Sequence, residues 1–204
     1  MKAIRHAAKQ WDVDIISLSL GIDGVDEDMD KAINEVTNPP DGSNPKLIFA
    51  AASNNKGGNS RRAYPASRSG VICVHASDGR GGGTSDLNPT REEYDGNFAT
   101  LGIDILFKWG PQKLLKSGTS FATPIAAGIA ANVMEYARHH MELSARNMVD
   151  LYSPKGMEDI FHLMKQSRED YGYIQPWDLW RDKGDKIGEV LKNTIVYGYS
   201  AARR

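Results

Sequence analysis

The feature that most constrains the fold is a long apolar helix that begins just before a serine, in the segment G-T-S-F-A-T-P at residues 118–124. Gly118 lets the chain turn sharply, so Ser120 lies at the helix start, where backbone N–H groups are unpaired and the dipole favours negative charge. Pro124 is tolerated in a first turn. Apolar residues then recur at helical spacing at Ala122, Ile125, Ala126, Ile129, Ala130, Val133, Met134 and Ala137. The segment predicts a central helix packed on neighbours nearly all round, with a site at Ser120 suited to an oxyanion.

Two further segments have the form of a strand that ends in polar or small residues. The apolar run 47–52 is followed by S-N-N-K-G-G, which predicts a buried strand and a turn. The segment 14–21 reads as a strand that closes with Ser19-Leu20-Gly21. Taken singly, Ser120 is compatible with a helix cap, Asn54 with a turn asparagine and residues 19–21 with an ordinary strand end.

The full strings carry a family resemblance. G-T-S-F-A-T-P resembles the nucleophile motif G-T-S-M-A-x-P of the subtilisin-like serine proteases, the subtilase family. A-A-S-N at 51–54 resembles the family's A-A-G-N, and D-I-I-S-L-S-L-G at 14–21 resembles its V-I-N-M-S-L-G. Y-P-A at 64–66, followed by V-I-C-V-H-A at 71–76, resembles Y-P-A with V-I-x-V-x-A. These matches occur in the family's order.

The resemblance implies a role for each matched residue. Ser120 would be the nucleophile, and its backbone N–H and the Asn54 amide would donate to the oxyanion. The substrate peptide would pair with the edge formed by the residues Ser19, Leu20 and Gly21. The other residues expected to contact substrate are Ala51, Ala52, Gly118 and Thr119. Ser53 replaces the family's glycine, and serine tolerates a positive φ less well.

The order of elements predicts an α/β fold of three layers, a mostly parallel sheet between helices. Helices are expected over 2–10 and around 29–36, and strands over 13–20, at 47 and over 71–76, with a surface loop over 79–97. The resemblance implies a subtilisin-like fold that is incomplete at its N-terminal side.

The sequence lacks the family's other two catalytic motifs. No histidine is followed by Gly-Thr, and no D-[ST]-G occurs. We interpret the five histidines, His6, His75, His139, His140 and His162, as structural or surface residues, and the Asp-Gly pairs at 23, 41, 78 and 95 as turns. The chain is therefore expected to be truncated at its front and inactive or nearly so by itself, and an N-terminal chain would supply the missing histidine and aspartate.

The residues after 140 have no such resemblance. Ser153-Pro154 predicts a capped helix over 157–164, and a second helix is expected over 187–195, with an aromatic loop over 171–180 between them. We predict two parts, residues 1–140 as the C-terminal portion of a peptidase domain and residues 141–204 as a helical extension packed on it.

Composition and motifs limit the other functions. A formal charge of -1 over 204 residues does not favour a nucleic-acid partner, and no apolar run suits a membrane span. Gly81-Gly82-Gly83 matches no nucleotide-binding pattern, no calcium-ligand spacing occurs, and no cofactor is expected. The single Cys73 agrees with a reducing, intracellular compartment. The expected function is a serine endopeptidase acting on peptides or proteins; the alternatives are a pseudoprotease or peptide-binding regulatory module and, disfavoured by the ordered motifs, an unrelated α/β cofactor binder.

Overall fold

The computed structural model describes residues 2–53, 60–82, 86–93, 96–169 and 171–199. Its main sheet has six strands, in the spatial order β1 (Ile15–Leu18), β2 (Leu47–Ala51), β3 (Ile72–Ser77), β4 (Phe98–Leu101), β8 (Tyr171–Ile174) and β7 (Lys165–Arg168). A separate hairpin is formed by β5 (Ile105–Trp109) and β6 (Gln112–Lys116). The helices are α1 (Lys2–Lys9), α2 (Glu27–Thr37), α3 (Thr119–His140), α4 (Ala145–Leu151), α5 (Pro154–Met164), α6 (Pro176–Lys183) and α7 (Ile187–Tyr197), with a 3-10 turn at Gly184–Lys186.

Strands β1, β2, β3, β4 and β8 are parallel to one another. The edge strand β7 runs antiparallel to β8. Every residue of β2 and β3 is buried, because helices cover both faces of the sheet at these strands. Burial on both faces is why the two segments read as continuous apolar runs in the sequence. The predicted strands are confirmed, although the strand expected over 13–20 is shorter, at 15–18.

Alternate residues of the central strands enter two separate cores. Leu47 and Phe49 of β2 contribute to the core under α3, α5 and α7, whereas Ile48 and Ala50 contribute to the core under α1 and α2. The predicted three-layer α/β architecture is therefore confirmed, with the sheet between two helical layers. Among the described residues no helix is both long and apolar enough to cross a bilayer.

Helix α3 lies along the sheet and packs on β1, β2, β3 and β4. Ala122, Ala126 and Ala130 are fully buried at this interface, where small side chains allow a close approach of helix and sheet. The expectation of burial nearly all round is wrong, because Gly128 and Ala131 lie on an exposed face. Small residues do not by themselves require burial, so they gave a misleading signal for that face.

The C-terminal end of α3 is fixed by a cation. Arg138 donates hydrogen bonds to the Asp14 carboxylate, just before β1, and to the Tyr152 hydroxyl, just after α4. These acceptors, with Asp14 first, raise the pKa of Arg138 above its ordinary value. One guanidinium thus joins α3, β1 and the tail, our name for the residues after 140.

The tail contributes strands as well as helices. Ser153 caps α5 through its hydroxyl, as predicted, and α7 is confirmed. The prediction of an aromatic loop over 171–180 is wrong, because this segment forms β8 and the first part of α6. Strand β8 pairs in parallel with β4. The boundary at residue 140 stays a prediction, and the segment beyond it completes the sheet.

We predict that Phe161→Ala strongly destabilises the whole chain. The Phe161 ring is fully buried, with its centroid 5.9 Å from that of Phe49 and 5.5 Å from that of Phe98. The cavity should lower the free energy of unfolding by about 3–5 kcal/mol, measured by urea denaturation. Tyr197→Ala, at a ring that is 68% exposed, is the control and should cost far less. Equal losses in the two variants would contradict the placement of the tail in the core.

Candidate active site

Ser120 is the second residue of α3 and is partly buried. Gly118 precedes the helix at φ 154°, a backbone conformation that side chains rarely adopt, and its carbonyl accepts from the N–H groups of Phe121 and Ala122. Among the described residues, the Ser120 N–H makes no hydrogen bond to another backbone group. Its N–H and the helix dipole are therefore available to a negative charge beside the hydroxyl.

Thr119 joins the helix start to the end of β2. Its hydroxyl accepts a hydrogen bond of 3.3 Å from the Ser53 N–H, and its carbonyl accepts one of 2.7 Å from the Thr123 hydroxyl. Asn54, the predicted oxyanion donor, lies outside the described residues, but the residue before it is thus fixed against α3. Ser53 is not among the described non-glycine residues with positive φ, so the serine is accommodated without that strain.

The end of β1 also reaches the helix start. The Ser19 hydroxyl donates a 2.8 Å hydrogen bond to the carbonyl of Ser120. Leu20 is exposed and Gly21 partly exposed, so this predicted substrate edge is open to solvent. Since β1 and β2 are parallel, their carboxyl ends meet at one edge of the sheet, where ligands bind in folds of this kind.

Ala51 and Ala52 are fully buried. The N–H of Ala52 donates to the Val74 carbonyl and its own carbonyl accepts from the Ala63 N–H. These backbone bonds hold the end of β2 in place. Substrate contact at the two alanines stays a prediction.

Gly102 is a residue that sequence reasoning missed. Its N–H donates to the Ser77 carbonyl and its carbonyl accepts from the Gly118 N–H, each at 2.8 Å. A Cβ at this position would lie 2.8 Å from the Ala76 Cβ and 3.0 Å from both the Ala122 Cβ and the Gly118 oxygen. Only glycine permits this approach, which sets the position of the helix start. A glycine directly after a strand was the available signal.

The histidines contact residues away from the start of α3. The contacts are those of His6 with Trp11, His75 with Phe98 and Tyr171, His139 with Glu135, His140 with Tyr136, and His162 with Phe98 and Tyr199. None of these partners belongs to the Ser120 site. The interpretation of the histidines as structural or surface residues agrees with these contacts.

The aspartates of two Asp-Gly pairs act in turns, as predicted. The Asp41 carboxylate accepts from the backbone and hydroxyl of Ser43, and Asp78 accepts from the N–H groups of Arg80 and Gly82. Side-chain bonds of this kind stabilise tight turns. Asp95 lies outside the described residues.

Tyr64 anchors the chain that leaves the Ser19–Gly21 edge. Its backbone exchanges two hydrogen bonds with Ile22, and its hydroxyl lies 3.2 Å from an Asp30 oxygen that also accepts from Arg68. Burial of the ring, and secondarily the Asp30 charge, raises the pKa of Tyr64 to about 12. Burial favours the neutral phenol at this position.

The chain is similar to known proteins both in sequence and in fold. A sequence model described as the subtilase family matches residues 1–153. The chain therefore belongs to the subtilase family, a family of serine proteases, which are hydrolases acting on peptides or proteins. It is 33% identical over 153 residues to a thermophilic serine proteinase of Bacillus sp. (strain AK1), an alignment that covers 69% of this chain and 33% of that protein.

Solved structures of proteases share the fold. The prenylagaramide maturation protease PagA matches with a TM-score of 0.67 and 24% identity, over 87% of this chain and 64% of that one. A serine-to-alanine mutant of the PatA protease domain matches with a TM-score of 0.66 and 25% identity, over 84% and 60%. The self-cleaved PatA protease domain matches with a TM-score of 0.55 and 29% identity, over 67% and 51%. The chain thus spans about a third of the curated relative and less than two thirds of each structure.

We predict that Gly102→Ala destabilises the chain by about 1–3 kcal/mol, because the new methyl group overlaps atoms at the start of α3. Gly128→Ala is the matched control. No atom lies within 4 Å of a Cβ at that helical position, so alanine should stabilise the chain by about 0.5–1 kcal/mol. Urea midpoints would report both, and the same sign of change in the two variants would contradict the close approach at Gly102.

We predict that Tyr64 makes stability fall at alkaline pH. The folded chain holds the phenolic proton up to about pH 12, whereas an unfolded tyrosine loses it near pH 10. The contribution of the neutral Tyr64 phenol to the free energy of unfolding is therefore complete below pH about 10, and it is lost as the pH rises from about 10 towards 12. The difference in unfolding free energy between wild type and Tyr64→Phe should shrink over this range. Tyr197→Phe, at an exposed tyrosine, is the control. A difference between wild type and Tyr64→Phe that stays constant from pH 10 to 12 would refute the raised pKa of Tyr64.

Proposed function

We propose that this chain is the nucleophile-bearing part of a subtilisin-like serine endopeptidase, with Ser120 as the attacking residue. The observation that carries the proposal is the meeting of three chain segments at one helix start. The Ser19 hydroxyl bonds to the Ser120 carbonyl, and the Ser53 N–H bonds to the Thr119 hydroxyl. These segments are far apart in the sequence and carry three of the four strings that resemble the family's.

In this mechanism the Ser120 oxygen attacks the carbonyl carbon of the scissile peptide bond. The carbonyl oxygen becomes an anion, stabilised by the Ser120 N–H at the positive end of α3 and by the amide of Asn54. In subtilisin itself, loss of the asparagine donor lowers turnover about 10²- to 10³-fold. Backbone pairing along Ser19–Gly21 would hold the substrate chain extended.

The hydroxyl proton of Ser120 must pass to a base. A serine hydroxyl is a weak nucleophile until an adjacent base accepts its proton. The five histidines of the chain lack the family's motif, and the contacts given above for them within the described residues lie away from Ser120. We infer that the histidine and aspartate come from polypeptide beyond these 204 residues, either from an upstream part of the same protein or from a partner chain.

The test is covalent labelling of Ser120 by a fluorophosphonate probe. Alone, the 204-residue chain should label slowly and hydrolyse peptides little or not at all. The longer protein, or a mixture with the polypeptide that carries H-G-T and D-[ST]-G motifs, should label rapidly, and Ser120→Ala should abolish labelling. Rapid labelling of the isolated chain would contradict an external base, and failure of the complemented protein would contradict the nucleophile assignment.

The second candidate is a pseudoprotease or peptide-binding regulatory module. The exposed edge at Leu20 favours it, because strand addition of a peptide there requires no base. The encoded sequence upstream of Met1 distinguishes the two. In-frame H-G-T and D-[ST]-G motifs support the protease, and their absence supports the binding module.

A further inference from the structure

The hairpin of β5 and β6 projects a set of large apolar side chains into solvent. Trp109 is 70% exposed, and Leu106 and Leu115 are 65% and 62% exposed. The hairpin turns at Gly110-Pro111, where Gly110 has φ 58°, as the first central residue of a tight hairpin turn requires. By the pairing register Trp109 lies on one face of the hairpin, and Leu106 and Leu115 lie on the other, so the exposed apolar surface is divided between two faces. Exposed apolar surface beyond scattered single residues marks sites of interaction with another molecule.

The pairing register divides the hairpin into two faces. Phe107 is opposite Leu114, and Trp109 is opposite Gln112, so these four side chains share one face with the pair Ile105 and Lys116. We call it the aromatic face. The opposite face carries the pairs Leu106 with Leu115 and Lys108 with Lys113. The aromatic face is the less exposed of the two, because Ile105 and Phe107 are partly buried, whereas all four residues of the opposite face are exposed.

The aromatic face is continuous with the Ser120 site. The centroid of the Phe107 ring lies 6.0 Å from that of Phe121, the residue directly after Ser120, in an edge-to-face arrangement. On its other side Phe107 stacks on Trp109, also at 6.0 Å. Three aromatic rings therefore run outward from the residue beside the nucleophile to the tip of the hairpin.

The hairpin is also basic. Residues 105–116 contain three lysines, at 108, 113 and 116, and no acidic residue, in a chain of net charge -1. Lys116 lies on the aromatic face and only four residues before Ser120. A ligand with both an apolar ring and a carboxylate would complement this face, because the rings offer apolar area and the ammonium offers a counter-charge.

We propose that the aromatic face of the hairpin is a docking strip for the polypeptide substrate, which selects a large apolar side chain followed by an acidic one. Phe107 and Trp109 are specificity-determining residues that contact the apolar side chain, and Lys116 contacts the carboxylate. The inference rests on the proposed function, since it takes the chain that passes Ser120 to be the occupant. A second copy of this chain is the competing occupant of the same surface.

Peptide binding tests the strip without requiring turnover. The probes are short fluorescein-labelled Ala–Gly peptides with a central Phe-Glu, Ala-Glu or Phe-Lys, titrated with the full chain and followed by anisotropy. We expect Phe-Glu to bind at least about tenfold more tightly than Ala-Glu, as burial of one aromatic side chain implies. It should also bind more tightly than Phe-Lys.

Matched variants separate the two faces. Trp109→Ala should remove the preference for phenylalanine, whereas Leu106→Ala, on the opposite face of the same strand and similarly exposed, should retain it. Lys116→Gln should remove the preference for glutamate over lysine, and Lys113→Gln should retain it. Urea midpoints equal to wild type would show that the variants fold.

Other outcomes overturn the proposal. They are equal binding of all three peptides, binding of none, or an equal loss of the preference for phenylalanine in Leu106→Ala and Trp109→Ala. Self-association in sedimentation that Trp109→Ala abolishes would also overturn it, because that result would assign the face to a second copy. Ser120→Ala should keep the preference, so peptide docking and catalysis fail separately. If the complemented protein reacts rapidly with the fluorophosphonate probe but shows no peptide preference, the proposed function is supported and the docking strip is refuted.

Discussion

The position of the α3 N-terminus against the carboxyl ends of three parallel strands is the constraint on which the rest depends. The Gly102 carbonyl, just after β4, accepts from the Gly118 N–H. The Ser53 N–H, just after β2, donates to the Thr119 hydroxyl. The Ser19 hydroxyl, just after β1, donates to the Ser120 carbonyl. Each partner comes from a different strand. The pairing register of the sheet therefore determines where the serine hydroxyl lies, and a helix end fixed in this way can direct its unpaired N–H groups at one point.

The opposite end of α3 makes the tail part of the same body. Arg138 binds Asp14 and Tyr152 together, and Phe161 of α5 packs on Phe49 and Phe98 of the sheet. Residues beyond 140 thus share the core on the α3 face of the sheet and add β8 beside β4. The helix that carries the serine is thus held at both ends by contacts with distant parts of the chain.

Strands were predictable where burial is two-sided and missed where pairing is long-range. The segment 47–51 is apolar throughout because helices cover both its faces, so the sequence alone indicates a strand. Residues 171–174 read as an aromatic loop, because the partners of β8 are β4, far away in the chain, and β7. The hairpin was missed although Gly110-Pro111 is a turn signal, since β6 is exposed throughout and neither strand has a clean alternation of apolar and polar residues.

The sequence by itself determined the family, the layer architecture and the identity of Ser120 as a candidate nucleophile, because each rests on local strings and local periodicity. Only the tertiary structure decided that Ser19, Ser53 and Ser120 meet, that Gly102 makes their meeting possible, and that an aromatic hairpin lies beside them. Those facts depend on contacts between residues far apart in the chain. Such contacts are set by which strands pair and by how side chains pack, and a single stretch of sequence does not specify its distant partner.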